Sequence, residues 1–382
     1  MKFGLMAQMQ APKPWPEGVD MDYQIHWQTL EQALRAEEVG FDAFWLTEHH
    51  FYEEIGHSSA PEVFLGALSQ RTSRIRLGHA VVVLPCNHPV RVAERAATLD
   101  IMSNGRLEFG TGRGASLYHI EAFHVSSDDS REVWDEALRV ICQLFVLDWF
   151  PGHKGKHYDI PARKLVPKPL QRPHPPLWVA GTNASTFELA ARTGQGILGF
   201  TAMPIEELIP AIQGYRREQA DADPGHFYGV APNFQVSAFA TAFCDTADRR
   251  GREIGGAATR WYLGDNDAPL NKLRFGPQFD RARFGRGSKY DDDQLVDTAM
   301  AVIGDPDTCS RIVERWQRAG IDQLLLMINA GTTSHEQTMR AIELFGEKVL
   351  PRFQDRPHPA SGAAVARPSD DAVRTASRPH RA

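Results

Sequence analysis

The sequence predicts an α/β fold, a (β/α)8 barrel, on three observations. Short apolar runs alternate with segments of helical period along most of the chain, which implies right-handed βαβ units and a parallel sheet. Runs such as Val81-Val82-Val83-Leu84 show no polar alternation, as strands covered on both faces require. Several runs that begin apolar end in titratable or glycine-rich stretches, the pattern of barrel strands that carry chemistry at their C-terminal tips. Phe41-Asp42-Ala43-Phe44-Trp45-Leu46-Thr47-Glu48-His49-His50-Phe51 is the clearest of these, dry at its start and closing on one carboxylate and two imidazoles.

Taken in order, residues 2–9 form a first strand, and 11–21 form a loop, since Pro12, Pro14, Pro16 and Gly18 break any period. Ile25, Leu30, Leu34 and Val39 recur near helical spacing, so 23–39 is a helix stopped by Gly40. The strand over 41–51 is followed by a helix over 60–71 with Pro61 in its first turn. The third unit is a strand over 75–85 and a helix over 89–102 opened by Pro89; the fourth is a strand over 106–114 and a helix over 130–149. Proline-rich 150–175 is an insertion after strand four. Strand five (176–181), its helix (184–192), strand six (196–201), its helix (205–221), strand seven (234–243) and a helix over 246–261 restore the rhythm. A second insertion, 263–293 after strand seven, lacks a period and reads as a lid. Helices over 298–302 and 306–319, strand eight over 323–328 and a helix over 334–349 complete the count. The barrel domain is 1–353, and 354–382, dominated by Pro, Ala, Ser and Arg, is a disordered tail.

With 382 residues, 42% of them hydrophobic, the chain has material for one large core. A formal net charge of −6 gives no electrostatic case for nucleic acid or an anionic membrane. No apolar stretch approaches the ~20 residues of a membrane span, and the first residues do not resemble a signal peptide. Cys86, Cys142, Cys244 and Cys309 are scattered without metal spacing, which suits reduced thiols and a cytoplasmic location.

Two strand ends fit an anion. Gly110-Thr111-Gly112-Arg113-Gly114 places three glycines and a guanidinium together, and arginine matches phosphate with a forked donor. Gly181-Thr182-Asn183-Ala184-Ser185-Thr186 opens a helix, where N–H groups and side-chain hydroxyls form an anion site. The alternatives are a tight turn for the first and an ordinary helix cap for the second. Together with the His pair they suit a phosphate-bearing cofactor across the barrel mouth. His79, at a strand end, is expected to face that mouth.

These residues resemble the bacterial-luciferase-like flavin monooxygenases. The resemblance rests on 40–51, on Val82, Leu84 and Pro85 followed by His88-Pro89-Val90-Arg91, and on 99–114 with its Leu-Asp-x-Met-Ser-x-Gly-Arg core. Ala184-Ser185-Thr186 through Gly194 and Gly320-Ile321-Asp322 add to it, over about residues 1–350. Glu48-His49-His50-Phe51 points to the luciferase and monoterpene-monooxygenase side of the family. The resemblance implies a TIM barrel binding reduced FMN (FMNH2). It implies His49 as catalytic base, Arg113, Thr182, Asn183, Ser185 and Thr186 at the flavin phosphate, and a non-proline cis peptide at Ala80–Val81. It further implies a separate flavin reductase, a small organic substrate receiving one atom of O2 through a flavin C4a-(hydro)peroxide, and a homodimer. Glu48 either orients His49 or pairs elsewhere, and His50 is a supporting residue. Where the luciferases carry a reactive cysteine this chain has Gly112, and their β-subunit is not encoded here.

Three rivals stand beside this. An F420-dependent oxidoreductase shares the fold, but tends to carry Ser-Asp-His where this chain has Thr47-Glu48-His49. A non-catalytic flavin-binding barrel tends to lose barrel segments. A metal hydrolase on Glu48, His49 and His50 is awkward, because adjacent strand residues point to opposite faces.

Overall fold

The computed structural model describes residues 1–114, 117–200, 203–265 and 286–354. Eight parallel strands close a barrel: β1 (Lys2–Ala7), β2 (Ala43–Leu46), β3 (Arg76–His79), β5 (Leu107–Gly112), β8 (Leu177–Gly181), β9 (Gly196–Phe200), β10 (Val236–Cys244) and β12 (Gln323–Met327). They pair in chain order, and β12 returns to β1 with Lys2 opposite Gln323. Short strands lie beside the staves: β4 (Val82–Val83) on β5, the antiparallel pair β6 (His153–Lys154) and β7 (Asp159–Ile160), and β11 (Ala301–Gly304). The helices α1 (Met21–Glu38), α2 (Pro61–Ser69), α3 (Pro89–Met102), α4 (Leu117–Ile120), α5 (Ser130–Val146), α6 (Ala184–Arg192), α7 (Ile205–Ala220) and α8 (Asp248–Arg260) are joined by α9 (Asp292–Asp297), α10 (Pro306–Arg318) and α11 (His335–Leu344).

Local chemistry sets many of the ends. Asp20, Asn183, Asp305 and Ser334 cap α1, α6, α10 and α11 by accepting from first-turn N–H groups, and prolines open α2, α3 and α10. The Glu37 carboxylate receives the N–H groups of Ser73, Arg74 and Ile75 at 2.8–3.1 Å, which fixes where β3 begins. The 99–106 motif is a knot. Buried Arg106 donates to the carbonyls of Ser69, Thr72, Ile75 and Ser103, and buried Asp100 accepts from the Gln171 N–H and amide. Arginine's several donors are thereby satisfied in one place, tying the turns before β3 and β5 together.

The barrel interior is plugged by Trp45 and Trp178, edge to face at 5.4 Å. Trp45 lies over Gly4 and Gly78, where an added Cβ would meet its indole at 2.8 and 2.1 Å. Trp178 donates to Glu108 at 2.6 Å. Leu198, Phe239, Leu325 and Met327 continue the interior column, and Ala80, Val81, Phe200 and Tyr262 pack on it toward the mouth.

The observed elements differ from expectation in three places. Residues 298–302 are not a helix: Ala301–Gly304 is β11, paired with the outer half of β10 from Thr241↔Ala301 to Cys244↔Gly304. The run Thr298–Val302 is short and apolar, so its period cannot separate strand from helix; free ladder groups on long β10 decide for strand. The third strand is split at the cis peptide Ala80–Val81, with β3 before it and β4 after. The segment 150–175 is anchored as well as superficial, since Phe150 and Leu165 are buried. Of the expected 263–293 insertion, residues 266–285 lie outside the described residues, and Asp292 and Asp293 open α9. The expected tail lies outside them too, apart from Gln354, whose amide donates to Gly40 O and Asp42.

Candidate active site at the barrel mouth

The loop after β2 folds back on itself at the mouth. Thr47 N–H donates to Ala7 O, and the His49 N–H to Ser58 O at 3.0 Å. Ser58 Oγ returns a bond to Thr47 O at 2.7 Å. His49 is therefore held at its backbone, half-buried, with its side chain against Gly56, where an added Cβ would meet it at 2.6 Å. Its ring lies 5.8 Å from Tyr52 and 5.6 Å from His119. His119, on α4, is buried and also stands 5.8 Å from His50 and 4.2 Å from Tyr52. Phe51, Tyr118 and Phe123 extend this aromatic wall outward.

The Glu48 carboxylate takes His50 Nε2 at 2.9 Å, Asn87 Nδ2 at 3.0 Å and Val83 N–H at 2.8 Å. Of the two roles open to it, pairing elsewhere is the one seen. His50 packs on Phe123, 4.9 Å between rings, and both histidines of the pair stand beside His119.

His79 is not at the mouth. Gly78 faces inward under Trp45, so alternation turns His79 outward, into the layer beneath α2 and α3. It borders a cavity of about 60 Å3 with Glu48, His50, Glu62, Asn87 and Arg95. It is 2% exposed, and neither ring nitrogen has a hydrogen-bond partner among the described residues. Burial, reinforced by the Arg95 charge and opposed by Glu62, pushes its pKa down from 6.5 to about 4. Cys86, bordering the same cavity, is pushed up to about 12 by burial and by Glu48.

The neighbouring strand ends carry the groups expected to meet an anion. Arg113 is exposed one residue beyond β5, and β5 pairs with β8 up to Thr111↔Val179, so Arg113 and the start of α6 are at adjacent tips. Asn183, Ser185 and Thr186 are turned toward one another. The Asn183 Oδ1 accepts from Ser185 Oγ at 2.8 Å, from Thr186 Oγ1 at 3.0 Å and from the Thr186 N–H at 3.0 Å. That oxygen is a helix cap that takes the Thr186 N–H, leaving the Arg113 guanidinium, the Asn183 Nδ2 and the Ala184 and Ser185 N–H groups as donors suited to a phosphate. Thr182 is half-buried beside them. The donor set suits a phosphate monoester, and at Gly112 an added Cβ would strike Val81 Cγ2 at 2.7 Å, so the glycine lets the Ala80–Val81 turn sit against β5.

The far wall of the mouth is aromatic and amide-lined. Phe200 and Phe239 stack at 5.4 Å, and Tyr262 stands edge-on to both. Gln8 donates to the Tyr262 hydroxyl at 3.0 Å, Gln10 donates to Gln8 at 3.2 Å, and the Gly331 N–H donates to Gln10 at 2.7 Å. Sequence reasoning missed this wall and His119. Gln8 and Gln10 at the end of the first strand were a usable signal; nothing local marks His119.

The chain is similar to known proteins. Limonene 1,2-monooxygenase of Rhodococcus erythropolis is 28% identical over 357 residues, 89% of this chain and 84% of its own length. The oxygenase component of the flavin-dependent trigonelline monooxygenase of Acinetobacter baylyi is 31% identical over 216 residues, 56% of each chain. The crystal structure of monooxygenase RslO1 from Streptomyces bottropensis superposes with a TM-score of 0.78 at 26% identity, covering 93% of this chain and all of that one. The family model described as luciferase-like monooxygenase matches residues 1–323, which takes in the strand ends from β1 to β10. A closed parallel barrel with its polar groups at the C-terminal strand tips, matched over that length, places this chain in the luciferase-like monooxygenase family.

Proposed function

We propose that the chain is an FMNH2-dependent monooxygenase of the two-component kind, which receives reduced flavin from a separate reductase. It passes one atom of O2 to a small organic substrate; the other leaves as water, with the electrons coming from FMNH2. One observation carries this reading: His49, the Ala80–Val81 peptide, Arg113 and the α6 N-terminus occupy successive strand ends around one mouth. Arg113 with Asn183 Nδ2 and the α6 N–H groups would hold the phosphate, and Thr182, Ser185 and Thr186 would border it. Ala80 and Val81 would present their backbone to the ring system. Bound reduced flavin supplies the electron pair and the oxygen chemistry. His49 would hold or accept a proton at a ring nitrogen, worth about 10²–10⁴ in rate for a positioned base. The aromatic wall of Phe200, Phe239 and Tyr262 would exclude water and receive the substrate. The name of the trigonelline relative's oxygenase component supports a separate reductase. We further assign a cytoplasmic homodimer; no helix among the described residues is long and apolar enough to cross a membrane.

The test mixes the protein with FMNH2 or with reduced F420 in air-saturated buffer, and separately with NADPH and oxidised FMN. Tight binding of FMNH2, altered kinetics of its reoxidation and no NADPH consumption without added reductase are expected. Saturable binding of F420 in place of FMNH2 would turn the assignment to a deazaflavin-dependent oxidoreductase. Binding of flavin with reoxidation kinetics like those of free flavin would leave a non-catalytic flavin barrel.

A further inference from the structure

Beyond Leu46 and His79 the ladder between β2 and β3 stops; its last bond runs from Ala80 N–H to Leu46 O at 2.8 Å. The two chains then continue separately, one carrying His49 and the other the Ala80–Val81 peptide. A single carboxylate spans the gap. Glu48, 6% exposed, accepts from Val83 N–H, Asn87 Nδ2 and His50 Nε2 at 2.8, 3.0 and 2.9 Å. Val83 is itself paired with Gly112 in β5, next to Arg113. Asn87 closes the frame from the other side: its Nδ2 also donates to Val83 O at 3.0 Å, and its Oδ1 accepts from Arg95 Nη2 at 2.8 Å. Arg95 in turn pairs with Glu62 of α2.

We propose that Glu48 is a positioning residue that locks the His49 loop, the Ala80–Val81 peptide and the Arg113 strand end into one frame, with Asn87, just before α3, and Arg95 of α3 bracing it. Charge-assisted bonds to a buried carboxylate are about twice as strong as neutral ones, and three of them join two segments that no longer pair with each other. His50 is the third ligand of this clamp, which gives the second histidine of the pair a role. That the frame serves turnover rests on the function proposed above; the clamp itself does not.

The experiment compares wild type with Asn87→Ala, Glu48→Gln and Glu48→Ala. Asn87→Ala cuts the brace and leaves the carboxylate in place, so it reports even where a Glu48 change hinders folding. Backbone amide exchange is followed in residues 47–50 and 80–83, with melting temperature, FMNH2 affinity and turnover measured in parallel. Expected is exchange at least about tenfold faster in both segments together, with α5 unchanged. Turnover should fall at least about tenfold, while FMNH2 affinity stays within about threefold. Glu48→Gln, which keeps shape and one acceptor, should lie between Glu48→Ala and wild type. Loosening of one segment alone, or of neither, overturns the clamp, and so does an equal fall in affinity and turnover. A wild type inactive with FMNH2 would sink the proposed function instead, and the exchange data would still decide the clamp.

Discussion

His49 owes its place to four neighbours: Ser58 holds its N–H, Gly56 leaves room for its ring, and Tyr52 and His119 flank it. His49→Ala should fold and bind FMNH2 but lose about two to four decades of turnover, with partial recovery on adding imidazole. A lowered melting temperature with poor flavin binding and no recovery would make His49 a packing residue. Gly56→Ala tests the same geometry without touching the imidazole. Gly56 is not at positive φ, so the methyl acts only by pressing on the His49 side chain, whose Cβ would be 2.6 Å away and whose ring atoms 2.7 and 2.8 Å. Overpacking of this kind costs typically about 1–3 kcal/mol, and Gly56 is buried, so the imidazole must be displaced. Turnover should fall by about tenfold or more, with a modest drop in melting temperature. Unchanged turnover would show that the ring's position is immaterial. Arg113→Ala should weaken FMN binding much more than riboflavin binding, because riboflavin lacks the phosphate that a guanidinium matches. Equal losses in titrations with the two ligands would make Arg113 structural.

At the scale of the element, β3 shows how one strand serves two compartments. Gly78 faces the barrel and gives Trp45 its room, while His79 faces α2 and α3 as a buried neutral imidazole. The pH dependence follows. An unfolded chain protonates this group near 6.5, whereas the fold holds it neutral down to about 4. The stabilisation is fully present above pH 6.5 and is lost as pH falls toward 4, because the unfolded state then binds a proton that the folded state refuses. At about 1.36 kcal/mol per pH unit, the drop from 6.5 to about 4 is worth about 3 kcal/mol. Urea unfolding of wild type and His79→Leu should therefore show stabilities that converge, or cross, by about 2–3 kcal/mol between pH 7 and pH 4.5. A stability difference independent of pH would mean that His79 is solvated or paired.

For the whole molecule, the barrel buries its strands under a layer of helices and leaves apolar side chains on α2 and α3 in contact with solvent. Val63 is 70% exposed and Met102 52%. That exposure accords with the homodimer proposed from the family resemblance. Light scattering at micromolar protein should give twice the 42.7 kDa chain mass. A Val63→Glu, Met102→Glu double variant should shift it toward monomer, since buried charges oppose association. A monomeric wild type would remove the dimer.

The sequence by itself determined the order of units and many of their ends. Pro89 and the period after it set α3 at Pro89–Met102, and Asn183 with the run that follows set α6 at Ala184–Arg192, because caps, prolines and the 3.6 period act within a few residues. The strand tips that would carry chemistry were also legible, since a dry run ending in Glu48-His49-His50 or Gly112-Arg113-Gly114 is a local pattern. Tertiary structure decided the rest. Which side of a strand faces inward depends on where Trp45 finds glycines across the sheet, and that turned His79 outward. Whether 301–304 is strand or helix depends on the free ladder edge of β10. The bonds of Glu48 to Val83 and Asn87, and the approach of His119 to His49, join residues tens of positions apart. Such contacts exist only once the barrel closes and loops from separate strands meet over one mouth.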